Sequence, residues 1–425
     1  MGLTTAFSYK DNQLCCEELT LSSLGTQYGT PLYVYSKQAI EENCKAIESA
    51  FAGQDHLSTY AVKANGNIHI LRLIAEQGLG ADVGSRGELF LALKAGFTPD
   101  KISFSGVGKR DDEIEEALDR DILAFNVESE QEIEIINSIA ERKGRQARIL
   151  LRLNLDIDAH THAYISTSKK ENKFGVPASR AEEILKKAQC LSHIEIRGIH
   201  SHIGSQITSP DTFVAAASAL RIIVEELRAK QIPIHDLDFG GGFGVQYHGV
   251  LTDPQLPYEK SETKALDAAS LIKAALPILK ETGCNISIQP GRSVIANAGA
   301  LLTKVLYRKE TDEKTFIIVD GGMNDLIRPS LYQAHHQIVP TQLKNAKFES
   351  VDVVGPCCES GNFFATDRAL PHVVRGDDLV LLCTGAYGLV LSSNYNARLR
   401  PAEILVDGNQ STVIREREQY DDLLE

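Results

Sequence analysis

The chain has 425 residues, 43% of them hydrophobic and 24% charged, a globular composition long enough for two domains. Its 44 basic and 57 acidic side chains leave a net charge of −13, which speaks against nucleic acid or an anionic membrane as partner. No run approaches the ~20 apolar residues of a membrane helix, and the N-terminal MGLTTAFSYKDNQLCCEEL lacks a charged-then-apolar leader, so a cytoplasmic protein is expected.

From about residue 36 to about residue 290, β-branched runs alternate with helical patterns. The runs are LSTYAV (57–62), LGADV (79–83), ISFSG (102–106), ILAFNV (122–127), ARILLRL (147–153), IEIRGIH (194–200), HDLDF (235–239) and NISIQ (285–289). Between them, Ser36 is placed to cap a helix carrying Ile40, Cys44, Ile47 and Phe51 on one face. Ser85 with Glu88, Ser129 with Glu132 and Ser179 with Glu182 read as capping boxes, and Gly96 as a stop. Longer helices are expected over 211–230 and 264–281, with an exposed loop over 248–263. Eight strand–helix alternations favour a closed parallel (β/α)8 TIM barrel over an open doubly wound sheet, and the barrel is assigned to 31–290. Beyond residue 300, ALLTKVLY, TFIIVD, SVDVVG, DLVLLCT and AEILVD alternate with turn signals, so 291–425, with 1–30 packed on it, is assigned to a β-rich domain.

Chemistry in such a barrel belongs at the C-terminal ends of the strands. The sequence delivers polar or glycine-rich clusters there repeatedly: Lys63 and Asn65, Asp82, Ser105, Arg152 and Asn154, His200 through Ser205, Gly240-Gly241-Gly242, and Gln289-Pro290-Gly291-Arg292. The triple glycine allows close backbone approach to a ligand and suits a phosphate, although a tight strand-to-helix turn is an equally good reading. It does not fit a dinucleotide fingerprint, and Gly106-Val107-Gly108-Lys109-Arg110 is not a P-loop. Lys63, at the end of an apolar strand, would be partly desolvated, which lowers an ammonium pKa and leaves a nucleophilic amine. Lone rim lysines are more often salt-bridged. An amine, a phosphate cradle and a histidine ring on one rim together describe a site for pyridoxal phosphate.

The eight cysteines (15, 16, 44, 190, 284, 357, 358 and 383) form no Cys-x-x-Cys pair and read as reduced thiols, most of them buried. A metallohydrolase reading of His160-Thr161-His162 or His200-Ser201-His202 lacks the further ligands it would need, so no metal is expected; His335-His336 reads as surface.

YAVKAN (60–65), HSHIGSQ (200–206), GGGFG (240–244), QPGR (289–292), GPCCESG (355–361) and GAYG (385–388) resemble the barrel-type pyridoxal-phosphate decarboxylases of basic amino acids. ENKFG (171–175), MNDLIRPSLY (323–332) and SSNYNARLRP (392–401) fit the diaminopimelate decarboxylases better than the ornithine enzymes. The resemblance implies a barrel of the alanine-racemase type and decarboxylation of meso-2,6-diaminopimelate to L-lysine. It also implies site roles. Lys63 would hold the cofactor aldehyde and His202 would stack on its ring. Asp82, Ser205, Gly240, Gly241, Gly242, Gln289, Gly291, Arg292 and Tyr387 would bind the cofactor. Arg292, Arg328, Tyr332, Glu359, Ser360 and Tyr387 would bind substrate, and Cys358 would donate the proton. It further implies a homodimer with shared sites.

Two positions depart from the family pattern. Gln289 stands where a glutamate usually partners the pyridine nitrogen, and Asn362 where an acid is usual. A glutamine amide could donate to an unprotonated nitrogen or accept from a protonated one. Either way the electron sink is expected to weaken. Alternatives kept open are a related decarboxylase of carboxynorspermidine, arginine, ornithine or carrier-linked glutamate, and a weakly active, racemase-like or non-catalytic homologue.

Overall fold

The computed structural model describes residues 6–51, 53–156, 173–259 and 265–424. The chain divides into two compact units. One is built from residues 44–245 and 265–293, the other from 1–43, 246–264 and 294–425.

In the first unit, eight parallel strands among the described residues close into a ring, each on one of the eight apolar runs. In order they are His56–Ala61, Gly80–Val83, Ile102–Phe104, Ala124–Val127, Ala147–Asn154, Ile194–Ser201, Asp236–Asp238 and Asn285–Ile288. Pairing of Ile286 with His56 joins the last strand to the first. Helices follow the strands and bury one apolar stripe each, as a (β/α)8 barrel requires. Arg86–Ala95 begins where the Ser85 hydroxyl accepts from Glu88 N at 3.2 Å, and it stops at Gly96 in the left-handed region. Glu130–Lys143 is capped in the same way by Ser129. In both, the expected box is offset: Glu88 accepts from Gly84 N and Glu132 from Glu128 N, one residue before the cap. The third box does not form. Pro177, with φ fixed at −55°, starts a 3-10 turn over Ala178–Arg180, which takes in Ser179, and the helix begins only at Ala181. The last helix is Ala268–Glu281, capped by Asp267 rather than beginning at Lys264.

The second unit is a β-rich assembly around the long strand Gly299–Glu310. Leu32–Ser36, buried along its whole length, pairs antiparallel with residues 299–302 and parallel with Ala402–Asp407. It is therefore a central strand of this unit. The division consequently falls near residue 43 rather than residue 30. Tyr33 and Tyr35 anchor the strand through hydrogen bonds to Asp325 O (2.7 Å) and Glu403 Oε1 (2.6 Å). The N-terminal hairpin packs on this unit through Leu14 N to Thr341 O at 2.8 Å. Residues 246–259 also belong here and are not simply exposed. Leu251 and Leu256 are buried, and the Gln337 side chain brackets the Leu251 backbone on both its N–H and its carbonyl.

Candidate active site

The barrel strands end in one polar layer. The first strand stops at Ala61, and Lys63 sits in the 3-10 turn Val62–Ala64 that follows. The turn leaves Lys63 exposed, so the expected burial by the strand end is not seen. Asn65 is buried, as are Asp82 and Ser105. His200 is fully buried at the end of the sixth strand, and His202 is half-buried just beyond it. Gly241 N donates to His202 Nδ1 at 3.1 Å, which leaves the ring proton on Nε2. Burial, reinforced by the Lys63 and Arg152 cations, holds both imidazoles well below their ordinary range. They are neutral rings at physiological pH.

Gly240 and Gly242 have φ of +73° and +94°, in the left-handed region. A Cβ on Gly240, Gly241 or Gly242 would lie 2.2, 2.1 or 2.4 Å from the carbonyl oxygens of Ser201, Gln289 and Gly204. Backbone packing therefore demands all three glycines whatever the ligand. Gly291 lets the Gln289–Arg292 turn pass the end of the first strand, where a Cβ would meet Ala61 and Ala64 at 3.1 and 3.2 Å. Arg292 is buried and donates from Nη2 to Ser205 Oγ at 2.9 Å. The buried Ser201 hydroxyl has no hydrogen-bond partner among the described residues.

Below the rim lies a network that the sequence reading missed. Asp82 Oδ1 accepts from Ser103 Oγ (3.2 Å), Ser105 Oγ (2.5 Å) and Gln289 Nε2 (3.1 Å). Asp238 accepts from Gly240 N (2.9 Å), Asn126 Nδ2 (3.3 Å) and Gln289 Nε2 (2.8 Å). The signal for Asp238 was present: an acid inside the strand run HDLDF, two residues before the glycines. A third buried acid, Glu128, pairs with Arg152 at 2.5 Å and accepts from Gly175 N, tying the Lys173-Phe174-Gly175 end of ENKFG to the fifth strand.

Burial, with Asp82 nearby, pushes the Asp238 carboxyl up to about 7. A carboxyl raised in the fold is stable in its protonated form, so its contribution falls as pH rises from its unfolded value near 3.8 toward 7. Thermal unfolding should show this. The midpoint of Asp238→Asn relative to wild type should climb by on the order of a few degrees between about pH 5 and about pH 8. A difference that does not vary with pH would contradict an ionisation penalty at Asp238.

The β-rich unit carries the other sequence-predicted residues. Cys357 is buried, with Sγ to Asn324 Oδ1 at 3.3 Å, whereas Cys358 is exposed. The two adjacent thiols thus face opposite environments. Glu359 and Ser360 are exposed beside Cys358. Asn362 is buried, and its Oδ1 accepts from Met323 N at 2.7 Å. It pins the Cys-Cys loop to the 321–325 turn, a structural task that needs an acceptor but no charge. Cys358 N in turn donates to Asn396 Oδ1 at 3.1 Å. Arg328 is buried, its guanidinium over the Tyr247 ring and its Nε 3.3 Å from His336 Nε2. Tyr332 and Tyr387 are half-buried, Tyr387 with a φ of +55°.

His336 is fully buried and His335 half-buried, not surface residues as expected, because His336 bridges Arg328 and Leu382 O. His335, Glu259 and His248 lie close together, but the two imidazoles stack 3.6 Å apart at 17°. Lone pairs in parallel ring planes do not converge on one ion. His160 and His162 lie outside the described residues.

Comparison with known proteins places this site in a class. Residues 37–296 match the family "Pyridoxal-dependent decarboxylase, pyridoxal binding domain", and the chain belongs to these decarboxylases. Within them it belongs to the diaminopimelate decarboxylase family. It is 45% identical to diaminopimelate decarboxylase of Aquifex aeolicus over 98% of this chain and 96% of that protein. The structure of diaminopimelate decarboxylase from Helicobacter pylori complexed with L-lysine is 40% identical, with a TM-score of 0.87 over 95% of this chain and 98% of that one. The M. jannaschii enzyme in co-complex with L-lysine is 35% identical, with a TM-score of 0.90 over 100% and 98% of the two chains.

The barrel's donors suit pyridoxal phosphate: an accessible primary amine, a neutral flat ring, the unpartnered Ser201 hydroxyl, and a buried guanidinium for an anion. Among the described residues no helix is long and apolar enough to cross a membrane.

Proposed function

We propose that this protein removes carbon dioxide from meso-2,6-diaminopimelate to give L-lysine, in the cytoplasm and as a homodimer. The observation that carries this reading is 45% identity to a diaminopimelate decarboxylase along 98% of the chain. Lys63 Nζ would hold the cofactor through its aldehyde carbon, in exchange with the substrate's amino group. His202 would present a neutral ring face to the cofactor, and Ser205, the Gly240–Gly242 turn, Gly291 and Arg292 would hold its phosphate. Bound pyridoxal phosphate supplies an electron-withdrawing ring that takes up the electron pair left by the departing carboxylate. Cys358 Sγ then delivers a proton to the former α-carbon. Arg292, Arg328 and Tyr332 would bind chiefly the distal carboxylate, Tyr387 would contact both phosphate and substrate, and Glu359 with Ser360 nearby would read the distal ammonium. A substrate tail bearing both charges fits that pairing better than the singly charged tails of arginine or ornithine.

Exposed Leu331, Val390, Leu391 and Tyr395 lie in the same β-rich unit as the exposed Cys358 loop, which is hydrogen-bonded to Asn396. Apolar side chains left exposed on this unit support a second copy covering them.

Carbon dioxide release tests the substrate. Purified protein with pyridoxal phosphate should evolve the gas from meso-diaminopimelate. Silence there, with release from arginine, ornithine or carboxynorspermidine, would replace the substrate while keeping the reaction class.

A further inference from the structure

We infer that Gln289 meets the cofactor's ring nitrogen as a hydrogen-bond acceptor, through Oε1, because Asp82 and Asp238 hold both hydrogens of its amide. The inference deepens the proposed function and rests on it, with position 289 at the ring nitrogen.

An isolated glutamine has no fixed polarity, since its NH2 and carbonyl exchange places by a half-turn. This one does not have that freedom. Its Nε2 lies 3.1 Å from Asp82 Oδ1 and 2.8 Å from Asp238 Oδ2, and the side chain is buried. A half-turn would set the carbonyl oxygen against two carboxylate oxygens and strand two amide hydrogens, a costly exchange away from water.

The carboxylates are themselves fixed. Ser103 and Ser105 donate to Asp82, Gly240 N and Asn126 donate to Asp238, and Asn126 also donates to Ser105 Oγ at 3.0 Å. Asp82 and Asp238 are therefore positioning residues: they act on the cofactor through the glutamine. Burial pushes the Asp238 carboxyl up to about 7, so at the acid end of the titration the amide's polarity is held by Asp82. What remains is Oε1, a neutral acceptor that faces His200 as well as the ring. It favours a protonated ring nitrogen, as a carboxylate would, but over a narrower pH range.

The test is a pH titration of the resting protein reconstituted with pyridoxal phosphate labelled with 15N at the ring, followed by NMR. In wild type, the bound nitrogen should show the protonated resonance near pH 6 and lose it on a single titration. In Gln289→Glu the midpoint should move up by about one pH unit or more, and in Asp82→Asn, where the amide can turn, it should move down. A bound nitrogen that is unprotonated across the range in wild type, yet protonated in Gln289→Glu, would mean that the amide donates and would overturn the inference alone. The wild-type titration decides this even where Asp82→Asn does not fold. Failure to bind the labelled cofactor at all would overturn the reading of the site as well.

Discussion

Lys63→Ala should leave a folded protein whose turnover has fallen by about 10²–10⁴-fold, the range that a positioned proton-transfer group supplies. The side chain is exposed on a short 3-10 turn, so truncating it removes little packing. The chemical loss has two parts. The amine is the group that exchanges with substrate on the cofactor, so its loss stalls product release. The amine must also lose and regain a proton in that exchange, which places the loss in the range of a proton-transfer group. Carbon dioxide release, read with the absorbance of bound cofactor and far-ultraviolet circular dichroism, separates this from misfolding. A variant that keeps near-normal turnover would remove Lys63 from its proposed role.

Cys358→Ser carries the second large effect, a fall of about 10²-fold or more, since a hydroxyl gives up its proton far less readily than a thiol. Cys357→Ser should behave differently. Its sulfur is buried against Asn324, so the cost should appear as lower thermal stability with turnover largely kept. The contrast can be read before any activity is measured. A thiol reagent should label Cys358 and Cys190, the two exposed cysteines, and leave Cys357 unlabelled in the folded protein. Equal losses of turnover in the two serine variants would argue that the loop, rather than one thiol, matters.

The barrel was legible because most of its eight strands are short β-branched runs set between helical patterns, and strands in a closed parallel sheet are buried on both faces. The helix starts at Ser85 and Ser129 were legible because a hydroxyl at the cap position has one obvious partner. What escaped depended on contacts between distant segments. Leu32–Ser36 falls within the range 31–290 assigned to the barrel, and only its pairing with 299–302 and 402–406 gives it to the β-rich unit. Asn362 stood out only as a departure from an acid, but its carbonyl is spent on Met323 N. His336 looked like surface until Arg328 and Leu382 met it on both sides. Gln289 was visible as an anomaly, yet its polarity was not. That is set by Asp82 and Asp238, which lie 207 and 51 residues away along the chain.

The most direct measurement is borohydride reduction of the cofactor-loaded protein, followed by proteolysis and mass mapping of the peptides. A pyridoxyl group fixed to Lys63, in the peptide containing YAVKAN, is the expected result. A label on a different lysine, or none on any peptide, would contradict the assignment of Lys63 and with it the proposed chemistry of the barrel rim.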